Sequence, residues 1–212
     1  MKNITPAELV NLVEALARTF EEEESSLNEL DSKVGDGECG TNLRKAFRTA
    51  SVKLQSQLPE DVGSVIERLG MHFITSAGGT IGILFGVGIH AAGKEAAGIS
   101  CLGAADVVKM GNTAIEAVKV RGKAQTGDKT FLDALIPAVA AFSASVDKGT
   151  SIDNALNDAV SSARKGAEAT KSMVARRGRA SYLGGRSLGH IDPGARAFVL
   201  ALESAQKFLT GR

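Results

Sequence analysis

Between Leu30 and Asn42 the chain reads Leu-Asp-Ser-Lys-Val-Gly-Asp-Gly-Glu-Cys-Gly-Thr-Asn. Three acids, Asp31, Asp36 and Glu38, are interleaved there with Gly35, Gly37 and Gly40. Clustered carboxylates raise one another's pKa, and a divalent cation relieves the repulsion. Glycines let backbone amides approach a ligand closely. Oxygen donors on such a backbone suit Mg²⁺ or Ca²⁺ better than zinc. The same residues equally suit a polar turn whose acids cap the next helix.

Three further stretches have chemistry that favours an anion. Gly78-Gly79-Thr80 reads as a turn opening a buried helix, in which Gly82 and Gly86 permit close packing or close approach of a ligand. Val120 to Thr130 is basic and glycine-rich, but it is not a P-loop, because Asp128 separates Gly127 from Lys129 and no strand precedes it. That connection either lies over phosphate or simply joins two helices. Arg176 to His190 carries Arg176, Arg177, Arg179 and Arg186 among glycines and serines, and a guanidinium grips phosphate through two parallel hydrogen bonds. A solvent-exposed turn is the alternative there.

The elements that must position these stretches are helices. Thr5-Pro6-Ala7-Glu8 combines a capping box with proline in the first turn, and Leu9, Val13, Leu16 and Phe20 follow at helical spacing. Glu21 to Glu24 reads as a solvated helix end. Thr41 or Asn42 is suited to cap a second helix with a face of Leu43, Phe47, Ala50 and Leu54, which sets a positive dipole end beside the acids. A third helix is expected from Asp61, a fourth from the Gly-Gly-Thr turn, a fifth over 104–118, a sixth from Thr130 with a kink at Pro137, a seventh from Ser151, and a last one after Asp192-Pro193-Gly194. No run alternates as a strand does, so the expected fold is an all-α, antiparallel bundle of eight helices. In such a bundle alternate connections share an end. The acidic stretch, the Gly-Gly-Thr turn, the 121–129 connection and the arginine stretch follow the first, third, fifth and seventh helices, so all four are expected at one mouth.

Composition narrows the function. With 25 Lys and Arg against 24 Asp and Glu, the net charge of +1 offers no long-range attraction to nucleic acid or to an anionic membrane. No Trp, one Tyr and eight Phe make base-stacking platforms improbable on composition alone. Residues 74–93 lack Asp, Glu, Lys and Arg, yet their glycines and hydroxyls make them too weakly apolar for a membrane span. Cys39 and Cys101 are not a disulfide framework, and Met1 to Ile4 lead into a capped helix, so residues 1–212 are expected to form one cytoplasmic domain. His72 and His90 fall within helices, and His190 in the arginine stretch.

Four ordered signatures then stand out: Asp31-x4-Asp36-Gly-Glu38-Cys-Gly, Gly78-Gly-Thr-x-Gly82, Gly127-Asp-Lys-Thr130, and Gly178-Arg-Ala-Ser-Tyr-Leu-Gly184 running on to Gly189-His-x-Asp-Pro-Gly194. Over essentially its whole length the chain resembles the nucleotide-binding subunit of dihydroxyacetone kinases. The resemblance implies an eight-helix antiparallel barrel that holds ADP or ATP through two Mg²⁺ ions at one end. It implies metal ligation by Asp31, Asp36 and Glu38, and nucleotide contacts at Cys39, Gly40, Thr41, Asn42, Thr80, Ile81, Gly122, Phe131, Arg179, Asp192, Pro193 and Gly194, with Arg179 offsetting charge. Glu38 departs from the family's usual Asp by one methylene, and Mg²⁺ tolerates little geometric error.

By the same resemblance, dihydroxyacetone or a related short ketose is bound covalently on a separate kinase subunit. The phosphoryl donor is either ATP or a phosphohistidine protein of the phosphotransferase system that recharges bound ADP. Two other readings remain: a nucleotide-loaded module acting on a transcription regulator, and a nucleotide subunit serving another substrate, such as a tetrulose or a fatty acid. A homodimer is compatible with all of them.

Overall fold

Thr5 opens the first helix as the capping box predicts: its hydroxyl accepts the Glu8 amide at 3.3 Å, and the Glu8 carboxylate accepts the Thr5 amide at 2.8 Å. In the computed structural model, which describes residues 4–211, helix α1 spans Pro6–Glu22. Met1 to Asn3 lie outside the described residues. The acid run ends α1, as expected, but it does not end the rod. Glu23 bends the chain, but its amide still reaches the Thr19 carbonyl at 3.0 Å and its carbonyl still receives the Leu27 amide at 3.0 Å, so the rod continues as α2, Glu24–Ser32. Asp31 therefore stands on a helical turn.

Seven more helices follow: α3 Cys39–Ser56, α4 Val62–Ser76, α5 Gly79–Glu95, α6 Ala104–Gly122, α7 Leu132–Asp147, α8 Ile152–Ala169 and α9 Pro193–Thr210. Counting α1 and α2 as one bent rod, the expected eight-helix, all-α antiparallel barrel is observed. Each rod packs on the next, and α9 returns to α1 to close the ring, where Thr19 and Ser204 hydroxyls meet at 2.8 Å. Among the described residues no strand forms, and no helix is long and apolar enough to cross a membrane.

Packing explains the register. Phe20 stacks on Phe47 with ring centroids 4.5 Å apart, and Phe73 meets Phe47 edge-on at 4.7 Å, so α1, α3 and α4 share one aromatic core. Helices α4 and α5 touch backbone to backbone. A Cβ at Gly70 would lie 2.3 Å from the His90 nitrogen, and one at Gly93 would lie 2.2 Å from that of Glu67. His90 belongs to this seam, with Nδ1 3.4 Å from the Glu67 carbonyl. Pro137, inside α7, has no N–H to offer the Asp133 carbonyl four residues back. That carbonyl faces Gly166 of α8, where a Cβ would sit 2.0 Å from it.

Candidate functional site

The connections after α2, α4, α6 and α8 line a single cleft of about 450 Å³ at one end of the barrel, as the parity of the helices requires. Its first wall is the acidic turn. Asp31 Oδ2 accepts the amides of Glu38 at 3.0 Å and Cys39 at 3.2 Å, which caps α3 from seven and eight residues back. The helix thus begins at Cys39 and not at a Thr41 or Asn42 cap. The Thr41 hydroxyl is engaged elsewhere, donating to Glu24 at 2.8 Å and accepting from Asn28 at 2.9 Å.

Asp36 turns to the opposite wall, where Arg179 Nη1 lies 2.6 Å from its Oδ2. Burial, and the Asp36 carboxyl beside it, push the Asp31 carboxyl above the ordinary range, and the two amides only partly offset this. Cys39 is buried under the acids. Burial first, then the charges of Asp31, Asp192 and Asp36, push its thiol far up, so it stays neutral.

The second wall is the start of α5. Gly78 carries no Cβ because one would lie 2.3 Å from Asn42 Oδ1, and this close approach brings the Gly-Gly-Thr turn against α3. Thr80 and Ile81 open onto the cleft. The apolar floor is made by Leu84 of α5, Val118 of α6 and Phe131, whose ring meets Phe85 at 4.7 Å.

The third wall is held together by charges inside the protein. Asp133 accepts the amides of Gly127 at 2.6 Å and Thr130 at 2.9 Å. Asp128 accepts the Gln125 amide at 3.0 Å and pairs with Arg177 Nε at 3.3 Å. Lys129 points inward, donating to the carbonyls of Thr170 and His190.

The last wall is the N-terminus of α9. Asp192 caps it by accepting the Ala195 amide at 2.8 Å. Asp192 is accessible only in part, and its carboxyl is packed round by protein. Burial pushes it up to about 7, while the Ala195 amide and Lys129 pull it down and Asp133 and Asp31 push it up. Gly194 packs where a Cβ would come 2.6 Å from Ile81.

The residues from Lys33 to Lys207 match the DAK2 domain family, with residues 33–207 aligned. This chain belongs to the DAK2 domain family. It is 33% identical over 201 residues to the PEP-dependent dihydroxyacetone kinase, ADP-binding subunit DhaL, of Escherichia coli (strain K12), an alignment covering 95% of this chain and 96% of that relative. The L-erythrulose 1-kinase of Mycolicibacterium smegmatis is 32% identical over 207 residues, covering 95% of this chain but 35% of that longer protein. Among solved structures, the dihydroxyacetone kinase from C. freundii in complex with AMP-PNP and Mg²⁺ superposes with a TM-score of 0.73 at 28% identity, covering 95% of this chain and 34% of its own.

In this DAK2 domain the structure brings Asp31, Asp36, Cys39, Asn42, Thr80, Ile81, Gly122, Phe131, Arg179, Asp192, Pro193 and Gly194 onto the cleft. Glu38, Gly40 and Thr41 do not line it. Glu38 is exposed, and Gly40 serves packing, since a Cβ there would lie 2.2 Å from the Glu24 carbonyl. Among the described residues no three His, Cys, Asp or Glu side chains converge on one point. The donor set nonetheless suits a hard cation, with two adjacent carboxyls, one of them pushed up by burial and by its neighbour, and an arginine drawn onto the other.

Sequence reasoning missed Asp128, Asp133 and the inward turn of Lys129. One signal was available: Thr130 followed three residues later by Asp133 has capping-box spacing.

Proposed function

We propose that residues 1–212 act as one cytoplasmic nucleotide-binding unit of a short-ketose kinase. The cleft holds ADP or ATP with two Mg²⁺ ions, and the terminal phosphoryl group passes to a ketose bound covalently on a separate subunit. One observation carries the reading: carboxylates in need of a cation share a single cleft with helix N-termini, an arginine and an apolar floor. The ADP-binding name of the E. coli relative and the AMP-PNP and Mg²⁺ in the C. freundii neighbour support it.

Asp31, Asp36 and Glu38 would hold the metal, which when bound neutralises phosphate oxygens that the carboxylates would otherwise repel. Glu38, which is exposed and off the cleft lining, would have to turn inward to join Asp31 and Asp36. The first turns of α3 and α9, from Cys39 to Asn42 and from Asp192 to Gly194, turn the positive ends of their helix dipoles to the phosphates, while the Cys39, Thr41, Asn42 and Asp192 amides stay bonded within the protein and Pro193 has none. Thr80 adds a hydroxyl donor. Ile81, Gly122 and Phe131 bound the apolar part of the cleft, which suits a base. Arg179 leaves Asp36 for a phosphate oxygen, where two parallel hydrogen bonds are available. All these residues position and neutralise, which is most of what phosphoryl transfer asks of a protein.

Among the described residues no histidine lines the cleft to take up a ketose. His72 and His90 lie on α4 and α5, and neither His lines the cleft, nor does His190. The acceptor hydroxyl is therefore brought by the partner subunit, which shields the terminal phosphate from water on docking. Erythrulose and dihydroxyacetone both fall within the ketose class. The donor is ATP in exchange for ADP, or a phosphohistidine protein of the phosphotransferase system acting on resident ADP; a PTS-dependent relative in Lactococcus lactis is 32% identical over 185 residues.

Calorimetry with ADP tests the seat. Binding is expected with Mg²⁺ and lost in EDTA, and equal affinity in both overturns it. Mixing with a cognate ketose subunit, with either ATP or the phosphotransferase proteins, separates the donors. Substantial dihydroxyacetone phosphate made by the isolated chain overturns the division of labour.

A further inference from the structure

Lys129 is 2% exposed, among the largest fully buried side chains of the protein. A buried lysine ordinarily has a carboxylate partner. Among the described residues none forms an ion pair with it; its ammonium instead donates to two backbone carbonyls, Thr170 O and His190 O, at 2.5 Å each. Its backbone is also unusual, with φ at 60° in a residue that is not glycine. A left-handed conformation is unfavourable for such a residue and persists only where the surroundings enforce it.

Thr170 and His190 are the two ends of the excursion that carries Arg177 and Arg179 between α8 and α9. Other bonds close the same neck: the Gly189 amide reaches the Lys171 carbonyl at 2.8 Å, and the Asp192 amide reaches the Thr170 hydroxyl at 2.9 Å. Asp192 then caps α9 and sets Pro193 and Gly194 against the cleft. Among the described bonds that close this neck, those of Lys129 are the ones given by a charged group. Burial pushes the ammonium's pKa down, and the nearby Asp192 and Asp133 raise it again.

We propose that Lys129 is a positioning residue for phosphate recognition: its ammonium closes the neck of the 170–190 excursion and so fixes where the first turn of α9 and Arg179 stand. This rests on the nucleotide reading above. It differs from a general contribution to stability, because the apolar floor, where a base would lie, is built by α5, α6 and Phe131, all outside residues 170–190.

Two substitutions separate the ammonium from the backbone. Lys129→Met keeps the aliphatic volume. Lys129→Gly suits the left-handed φ and removes the cation, so it carries the test even where Lys129→Met fails to fold. Each variant is compared with the wild type for binding of ADP with Mg²⁺, binding of adenosine, and hydrogen exchange of residues 170–192 in the ligand-free protein. The expected result is a loss of ADP affinity of about tenfold or more with adenosine binding little changed, since charged hydrogen bonds of this kind are each worth about that factor. Exchange across 170–192 quickens, and propylammonium restores ADP binding to Lys129→Gly. The inference is overturned if Lys129→Gly binds ADP as the wild type does, if ADP and adenosine weaken equally, or if exchange in 170–192 is unchanged. A wild type that binds no ADP at all instead overturns the nucleotide reading, taking the phosphate role with it.

Discussion

At the end of the barrel away from the cleft, helices start on local caps that water reaches: the half-buried Asp61 carboxylate accepts the Ser64 amide at 2.9 Å, and the exposed Ser151 hydroxyl accepts the Asn154 amide at 3.2 Å. At the cleft end the same task of satisfying helix ends and turning the chain falls to buried charge. Every buried charged residue among those described, Asp128, Lys129 and Asp133, lies in the α6–α7 connection or the first turn of α7. Asp133 holds the nearby Gly127 and Thr130 amides, but Asp128 and Lys129 also draw partners from far along the chain, Arg177 on Asp128 and the two carbonyls on Lys129. An exposed cap can be replaced by water when it is removed. A buried acceptor cannot, so each loss leaves amides unpaired. The cleft end holds its shape at the cost of fragility, and the far end is robust because little depends on it.

Breaking the cleft end should have the largest effect. Asp36→Ala removes a metal ligand on the reading above, and should cost ADP at least about a hundredfold in affinity in the presence of Mg²⁺ and abolish transfer, by calorimetry and a coupled kinase assay. Glu38→Asp should keep or improve that affinity, and a Glu38→Asp weaker than Glu38→Ala would remove Glu38 from the ligand set. Next comes Asp133→Ala, which orphans the Gly127 and Thr130 amides and should destabilise the fold by about 3 kcal/mol in urea unfolding. A cost under about 1 kcal/mol would erase the contrast between the ends.

The far end should respond more mildly. Asp61→Ala should cost about 1 kcal/mol and leave ADP affinity unaltered. The hydroxyl and amide of Ser64 hold the Asp61 carboxyl below its ordinary range. Its contribution is therefore complete above about pH 4 and is lost as the pH falls through the lower, folded-state value, so variant and wild type should converge in acid melts. Smallest of all, Arg179→Gln should strengthen Mn²⁺ binding to the nucleotide-free protein by about threefold, because an ion pair 68% and 30% exposed is a weak competitor for Asp36. Weaker Mn²⁺ binding in that variant would mean that Arg179 supports the metal position.

Much of this contrast could be read before the structure. Thr5, Asp61, Ser151 and Asp192-Pro193 announce helix starts because their caps act within three residues, a range that sequence displays. Helix parity then brings four connections to one end with no further information. What escaped the sequence acts at longer range. The bend at Glu23 has no glycine or proline to mark it, so the acid run looks like an end. The cap of α3 arrives from Asp31, too far back for a capping pattern, which makes Thr41 and Asn42 look like the start. The burial of Lys129 depends on carbonyls 41 and 61 residues away, and a backbone carbonyl has no residue type to recognise.

The closed ring of paired rods also fixes where the chain's described ends emerge. Ile4 pairs with Leu102 in the connection between α5 and α6, and α9 leaves the cleft and runs for 18 residues, about 27 Å at the helical rise. Both ends surface opposite the opening. A domain leashed to either one must double back along a full helix length, which takes about eight extended residues before it can reach the cleft. Shorter leashes would keep a fused domain off the cleft of its own chain. An affinity tag at either end leaves the opening facing away from the surface, so protein immobilised that way still presents its cleft to solution.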